Sequence, residues 1–144
     1  MNSPRVLLTG PQWFADLLAF CERGLQETGA QVRVVNTNGA PWLQEARAKR
    51  DQMARTPVMG PQLAQRRERQ IWAQLAGEVR DEVAKTIRDW QPHAVVSLLC
   101  WGDAILGAGD VLAEAKIPTV GWLMDDPFHG DGALAQICAA FSFV

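Results

Sequence analysis

No stretch of this sequence approaches the roughly 18 uninterrupted apolar residues of a bilayer-crossing helix. The N-terminus runs from Met1 straight into a strand pattern, without the basic region and long apolar run of a secretory signal. The expected address is therefore the cytoplasm, with no membrane span. Cysteine is scarce, and Cys21, Cys100 and Cys138 are widely spaced, odd in number and set among apolar neighbours. They read as small buried hydrophobes, and no CxxC pair or Cys/His cluster offers a zinc or redox site. An excess of one charge is also missing: 14 basic residues face 16 acidic ones, a net charge of −2. That balance gives no general attraction for phosphate backbones and argues against a nucleic-acid partner. The one basic run, Arg66, Arg67 and Arg69, lies beside Gln65 and Glu68 in a helix-like stretch and reads as a solvated helix face. Neither GxGxxG nor GxxxxGK[ST] occurs, so no dinucleotide or P-loop site is expected.

What remains is an ordinary globular composition, 48% apolar and 21% charged over 144 residues. A domain of that length can bury roughly 70% of the surface its unfolded chain exposes. Residues 5–9 (RVLLT) form a β-rich run ended by Gly10 and Pro11. Trp13, Phe14, Leu17, Leu18, Cys21 and Leu25 then recur at three- and four-residue spacing, as on a helix. Residues 31–35 (QVRVV) give a second strand, and strand, helix and strand within about 35 residues make a parallel, right-handed βαβ unit. Residues 40–60 are polar and broken by Pro57, which predicts a short helix and then a loop. From Gln62 the apolar positions Ile71, Leu75, Val79, Val83 and Ile87 recur every four residues, predicting a long amphipathic helix that ends before Pro92.

Residues 94–99 (AVVSLL) are continuously apolar, as expected of a strand buried on both faces. A shorter helix is expected over 109–115, a fourth strand over 118–123 (PTVGWL), a last helix over 130–139 and a fifth strand over 140–144. The pattern is a Rossmann-like, doubly wound α/β fold with a parallel sheet of about five strands. Because the chain stops inside an apolar run, it reads as the first part of something longer. The exposed sheet edge would be covered either by a further domain or by a second copy of the chain.

In such a sheet the loops after the strands emerge on one edge, so 10–13, 36–39, 101–103 and 125–129 should converge there. Gly10 and Trp13 belong to a glycine turn whose backbone N–H groups can meet an anion, although the turn alone also explains Gly10. Asp125 and Asp126 are adjacent carboxylates after a buried strand, an arrangement that needs a positive partner, hydrogen bonds or a raised pKa. One of them is a candidate general base, with Pro127 stiffening the turn and Phe128 offering a contact face; capping and solvation explain the pair equally well. His129 is a rival base, and His93 should be structural at the opposite end of the sheet. Trp101, Gly102 and Asp103 combine an aromatic plane, a flexible joint and an acceptor, which suits stacking on a sugar and bonding its hydroxyls.

Three segments, RVLLTG with a following tryptophan, DWQPHAVVSLLCWGD (89–103) and AKIPTVGWLMDDPF (115–128), resemble the N-terminal half of the spore-maturation CgeB-like glycosyltransferases, a two-Rossmann (GT-B) group. The Asp125-Asp126-Pro127 match carries most of the likeness. The resemblance implies metal-independent transfer of a sugar from a nucleotide-sugar donor to an acceptor hydroxyl, without a further cofactor. It also implies that this chain shapes the acceptor side, and that a C-terminal nucleotide-binding domain would be the partner needed for catalysis. The alternative is a non-catalytic, flavodoxin-like module that binds a ligand or a protein. A receiver domain fits poorly, since its acidic pair should follow strand one, where this chain has TGPQ.

Overall fold

In the computed structural model, which describes residues 3–12, 15–100, 104–123 and 138–142, four strands alternate with helices. The strands are β1 (Arg5–Gly10), β2 (Gln31–Asn36), β3 (Ala94–Leu99) and β4 (Thr119–Leu123). The helices are α1 (Ala15–Glu27), α2 (Leu43–Ala54), α3 (Gly60–Trp90) and α4 (Gly109–Glu114), the last preceded by a 3-10 turn over Ala104–Ala108. All pairings are parallel in the order β2-β1-β3-β4, with Leu8 opposite Val34 and Val96, and Leu98 opposite Trp122. The protein therefore has the expected Rossmann-like α/β architecture.

Period-two alternation sorts the strand side chains onto two faces. On one face Leu8 and Leu98 are buried beneath α1, packed with Leu18 and flanked by Leu17, Cys21 and Leu25. On the other, Leu7, Val35, Val95 and Leu99 meet the α3 stripe Ile71, Leu75, Val79 and Val83, with Ile105 and Leu112 filling the space beside β3. Helix α3 ends before Pro92 with Gln91 in the left-handed region (φ 50°). His93 then closes the amino-terminal edge: its Nδ1 accepts the Arg5 N–H at 2.9 Å, and its own N–H donates to the Arg5 carbonyl at 2.7 Å. That is the structural role expected of it.

One segment fits the sequence reading and one differs from it. Residues 40–60 hold the expected short helix, α2, and then a loop over 55–59; only Leu43 and Ala46 of the helix are buried. It is fixed by Trp42, whose Nε1 donates to the Glu78 carboxylate at 2.9 Å, and by Arg50, paired with Glu68 on α3. A mostly polar helix leaves little periodic signal, and its partner supplies the stability that its own pattern does not announce. At the other end, residues 140–142 form a turn and bend where a strand was expected. Ser142 nevertheless donates its N–H to the Thr119 carbonyl at 2.9 Å on the free edge of β4, and Phe141 is buried against the core. Residues 143 and 144, and nearly all of the helix expected over 130–139, lie outside the described residues.

Candidate functional site

Parallel strands leave the sheet on a common edge, and here the strand order reverses between β1 and β3, so their carboxyl ends flank a crevice. Just below it, two buried polar side chains face each other between adjacent strands. Thr9 on β1 donates its hydroxyl to Ser97 Oγ on β3 at 2.7 Å, and both residues are wholly buried. A paired hydroxyl avoids the cost of an unsatisfied buried polar group and ties the two strands together beneath the rim.

The loops after β1 and β2 are joined by side-chain amides. Gln12 donates its N–H to Asn38 Oδ1 at 2.8 Å, and Asn36 donates its Nδ2–H to Gln12 Oε1 at 2.7 Å. Asn38 donates its N–H to Asn36 Oδ1 at 3.1 Å, and the Gly10 carbonyl accepts the Thr37 N–H at 3.0 Å. The arrangement walls a hollow of about 450 Å³ lined in part by Gln12, Asn38, Gly39, Gln44 and Arg47. Gln44 and Arg47 project from the first turn of α2, three residues apart and so on one side of the helix. Arg47 is half-buried and makes no ion pair among the described residues. Beneath the same loop the Thr37 hydroxyl is wholly buried without a hydrogen-bond partner.

Such a hollow presents amides that donate and accept, together with one fixed positive charge. That donor set matches polyhydroxylic ligands, whose hydroxyls also do both, and it tolerates an anionic substituent near Arg47. Among the described residues no three metal-ligating side chains come together. Partial burial pushes the Cys21 and Cys138 thiols above their ordinary pKa, which favours their protonated form.

Of the residues singled out from sequence, Gly10 is described. Its Cα faces α1 and β3: a Cβ there would stand 3.0 Å from Leu18 Cδ1 and 3.2 Å from Leu98 Cβ. A side chain here would have to displace its neighbours slightly, so close packing favours glycine, while its carbonyl orders the neighbouring loop. Gly10→Val should cost about 1–3 kcal/mol through overpacking, read as a lowered urea midpoint at unchanged m-value. A neutral result would mean that α1 does not sit where the structure places it. Trp13, Trp101, Gly102, Asp103, Asp125, Asp126, Pro127, Phe128 and His129 lie outside the described residues. The segments that carry most of them follow β3 and β4, whose carboxyl ends share the edge occupied by the amide hollow.

Asn36, Asn38, Gln12, Gln44 and Arg47 were not marked as ligand groups in the sequence. The signal present is Asn-Thr-Asn-Gly at a strand end; Gln44 and Arg47 give none, because polar residues on a short polar helix do not show what they face.

No family model matches the sequence, and no curated protein matches it. Among solved structures, the glycosyltransferase SnogD from Streptomyces nogalater aligns with 98% of this chain and 40% of its own, at 16% identity and a TM-score of 0.46. The chain thus spans less than half the length of that protein. A likeness of this degree decides neither fold nor activity, and the fold rests on the strand order itself.

Proposed function

We propose that the chain is the N-terminal, acceptor-side domain of a two-domain glycosyltransferase of the CgeB-like, GT-B kind. The observation that carries the reading is the shared carboxyl edge of four parallel strands, with a crevice between β1 and β3 beside a hollow lined by amides and one guanidinium. The motif resemblance of the segments that follow β1, β3 and β4 supports it.

In this reading the acceptor rests on the rim. Gly10 and Trp13 shape the first loop, Trp101 stacks on a sugar face across the joint at Gly102, and Asp103 accepts a hydrogen bond from a sugar hydroxyl. Pro127 and Phe128 hold and line the loop after β4. One of Asp125, Asp126 or His129 takes the proton of the acceptor hydroxyl as its oxygen bonds to the donor's anomeric carbon. The bond from that carbon to the diphosphate breaks, and the nucleoside diphosphate leaves with the electron pair. A charge of that size needs its own stabilising site, and the second domain is assigned that part. The transfer needs no metal and no cofactor beyond the nucleotide-sugar co-substrate.

Calorimetric titration of the 144-residue chain separates this role from that of a nucleotide-binding module. A panel of sugar and polyol acceptors should bind, and nucleoside diphosphates and nucleotide sugars should bind weakly at most. Tight binding of nucleotide alone would overturn the acceptor-side assignment.

A further inference from the structure

Helix α3 is longer than the sheet requires. At 1.5 Å per residue its 31 residues extend about 46 Å, whereas a six-residue strand covers about 20 Å. Because α3 runs from the carboxyl-terminal edge back to the start of β3, its surplus lies at the amino end and overhangs the rim. Helix α2 packs along that overhang, so the two form a projecting hairpin. Its tip is closely built: a Cβ on Gly60 would overlap the Met53 carbonyl, and Thr56 donates its N–H to that carbonyl at 3.0 Å.

The chemistry of the tip is unusual in two independent ways. Val58 is 93% exposed, Met59 59%, Leu63 42% and Met53 38%, so the crown is apolar. Val58 also has φ 66°, a left-handed conformation that a β-branched residue rarely adopts, and Met59 donates its N–H across it to the Pro57 carbonyl at 2.9 Å. A strained backbone that presents an apolar side chain to water gains nothing inside the isolated domain.

Charge is the second observation. Residues 43–70 carry seven basic and three acidic side chains, a net of +4, whereas the whole chain is −2 and the remainder therefore −6. Within the hairpin Lys49 is paired with Glu45, and Arg50 with Asp51 and Glu68. Arg55, Arg66, Arg67 and Arg69 make no ion pair among the described residues.

We infer that this hairpin tip is a peripheral membrane-docking element: Val58 and Met59 enter the interfacial layer of a bilayer, and Arg55, Arg66 and Arg69 meet anionic headgroups. Four apolar side chains on a convex tip fall far short of the roughly 20–30 residues per side of a protein interface. A lipid surface demands no matching shape, and an apolar crown above unpaired cations is the composition that anionic membranes bind. The element spans nothing, consistent with the absence among the described residues of any helix long and apolar enough to cross a membrane. It stands whether or not the rim binds a sugar acceptor.

Co-sedimentation of the 144-residue chain with vesicles tests it. Vesicles of phosphatidylcholine mixed with phosphatidylglycerol should bind the chain in a salt-sensitive manner, and pure phosphatidylcholine should bind it at least about tenfold more weakly. Replacing Arg55, Arg66 and Arg69 together by Ala should weaken binding to the anionic vesicles roughly a hundredfold, at about fivefold per cation. Val58→Asp with Met59→Asp should abolish it while the melting temperature is kept. Val58→Gly, which relieves the backbone, should raise the melting temperature yet weaken binding. Absence of vesicle binding, equal binding by these variants, or capture by polyglutamate without capture by vesicles would overturn the inference.

Discussion

On the proposed acceptor-side role, replacing the one residue among Asp125, Asp126 and His129 that serves as base by Ala, in a two-domain enzyme carrying this chain, should lower kcat roughly 10²–10⁴-fold, the usual contribution of general base catalysis. The melting temperature should hardly move, because carboxylates adjacent in sequence repel each other and removing one relieves that repulsion. An acceptor hydroxyl is a poor nucleophile until its proton has somewhere to go, and among the described residues the hollow offers amides and a guanidinium, none of which can accept it. Asp125→Asn and Asp126→Asn keep shape while removing basicity, so an effect shared by the Ala and Asn variants isolates proton transfer from positioning. If all three Ala variants retained kcat within a few-fold, no member of this loop would be the base.

Leu98→Ala is the substitution expected to cost most in stability. Leu98 is wholly buried on the face covered by α1, where it packs with Leu8 and Leu18 and stands beside the Cα of Gly10. Deleting a buried leucine removes its transfer free energy and leaves a cavity, about 2–5 kcal/mol in all. A single helix covers that cluster, so the loss loosens the seat of α1 and with it the turn after β1 that forms one wall of the hollow. Urea denaturation should show a lowered midpoint at unchanged m-value. A cost below about 1 kcal/mol would place α1 elsewhere. The same site is overfilled by Gly10→Val and underfilled by Leu98→Ala, and opposite changes of volume should both destabilise it.

How much was legible follows from which residues carry a periodic signal. The apolar runs RVLLT, QVRVV and AVVSLL announce β1, β2 and β3, and the four-residue spacing from Ile71 to Ile87 announces α3, because each pattern is dictated by the burial of one face or two. Helix α2 is legible as a short helix before the Pro57 loop, but what holds it is not: only Leu43 and Ala46 face the core, and its stability comes from Trp42, Glu78 and the Arg50–Glu68 pair across to α3, contacts 18 and 36 residues apart. The 3-10 turn over Ala104–Ala108 has small apolar residues without a period, so its state is set by what it packs against.

For the site, the sequence indicates the rim through strand ends but not the groups that face one another across it. The Asn36, Asn38 and Gln12 amides meet only because β1 and β2 are adjacent, and Arg47 joins them only because α2 begins where it does. Gly10 illustrates the opposite case: a turn glycine in the sequence proves to be a point of close packing against Leu18 and Leu98.

A nitroxide attached at position 38, in an Asn38→Cys variant whose three native cysteines are replaced by alanine, tests the shared rim most directly. Paramagnetic broadening should fall on the amides of Gln12, of residues 101–103 and of residues 125–129, and should spare Gly29, His93 and Lys116 at the far ends of the strands. Broadening at Gly29, His93 and Lys116 with sharp signals from the acidic loop would contradict the account.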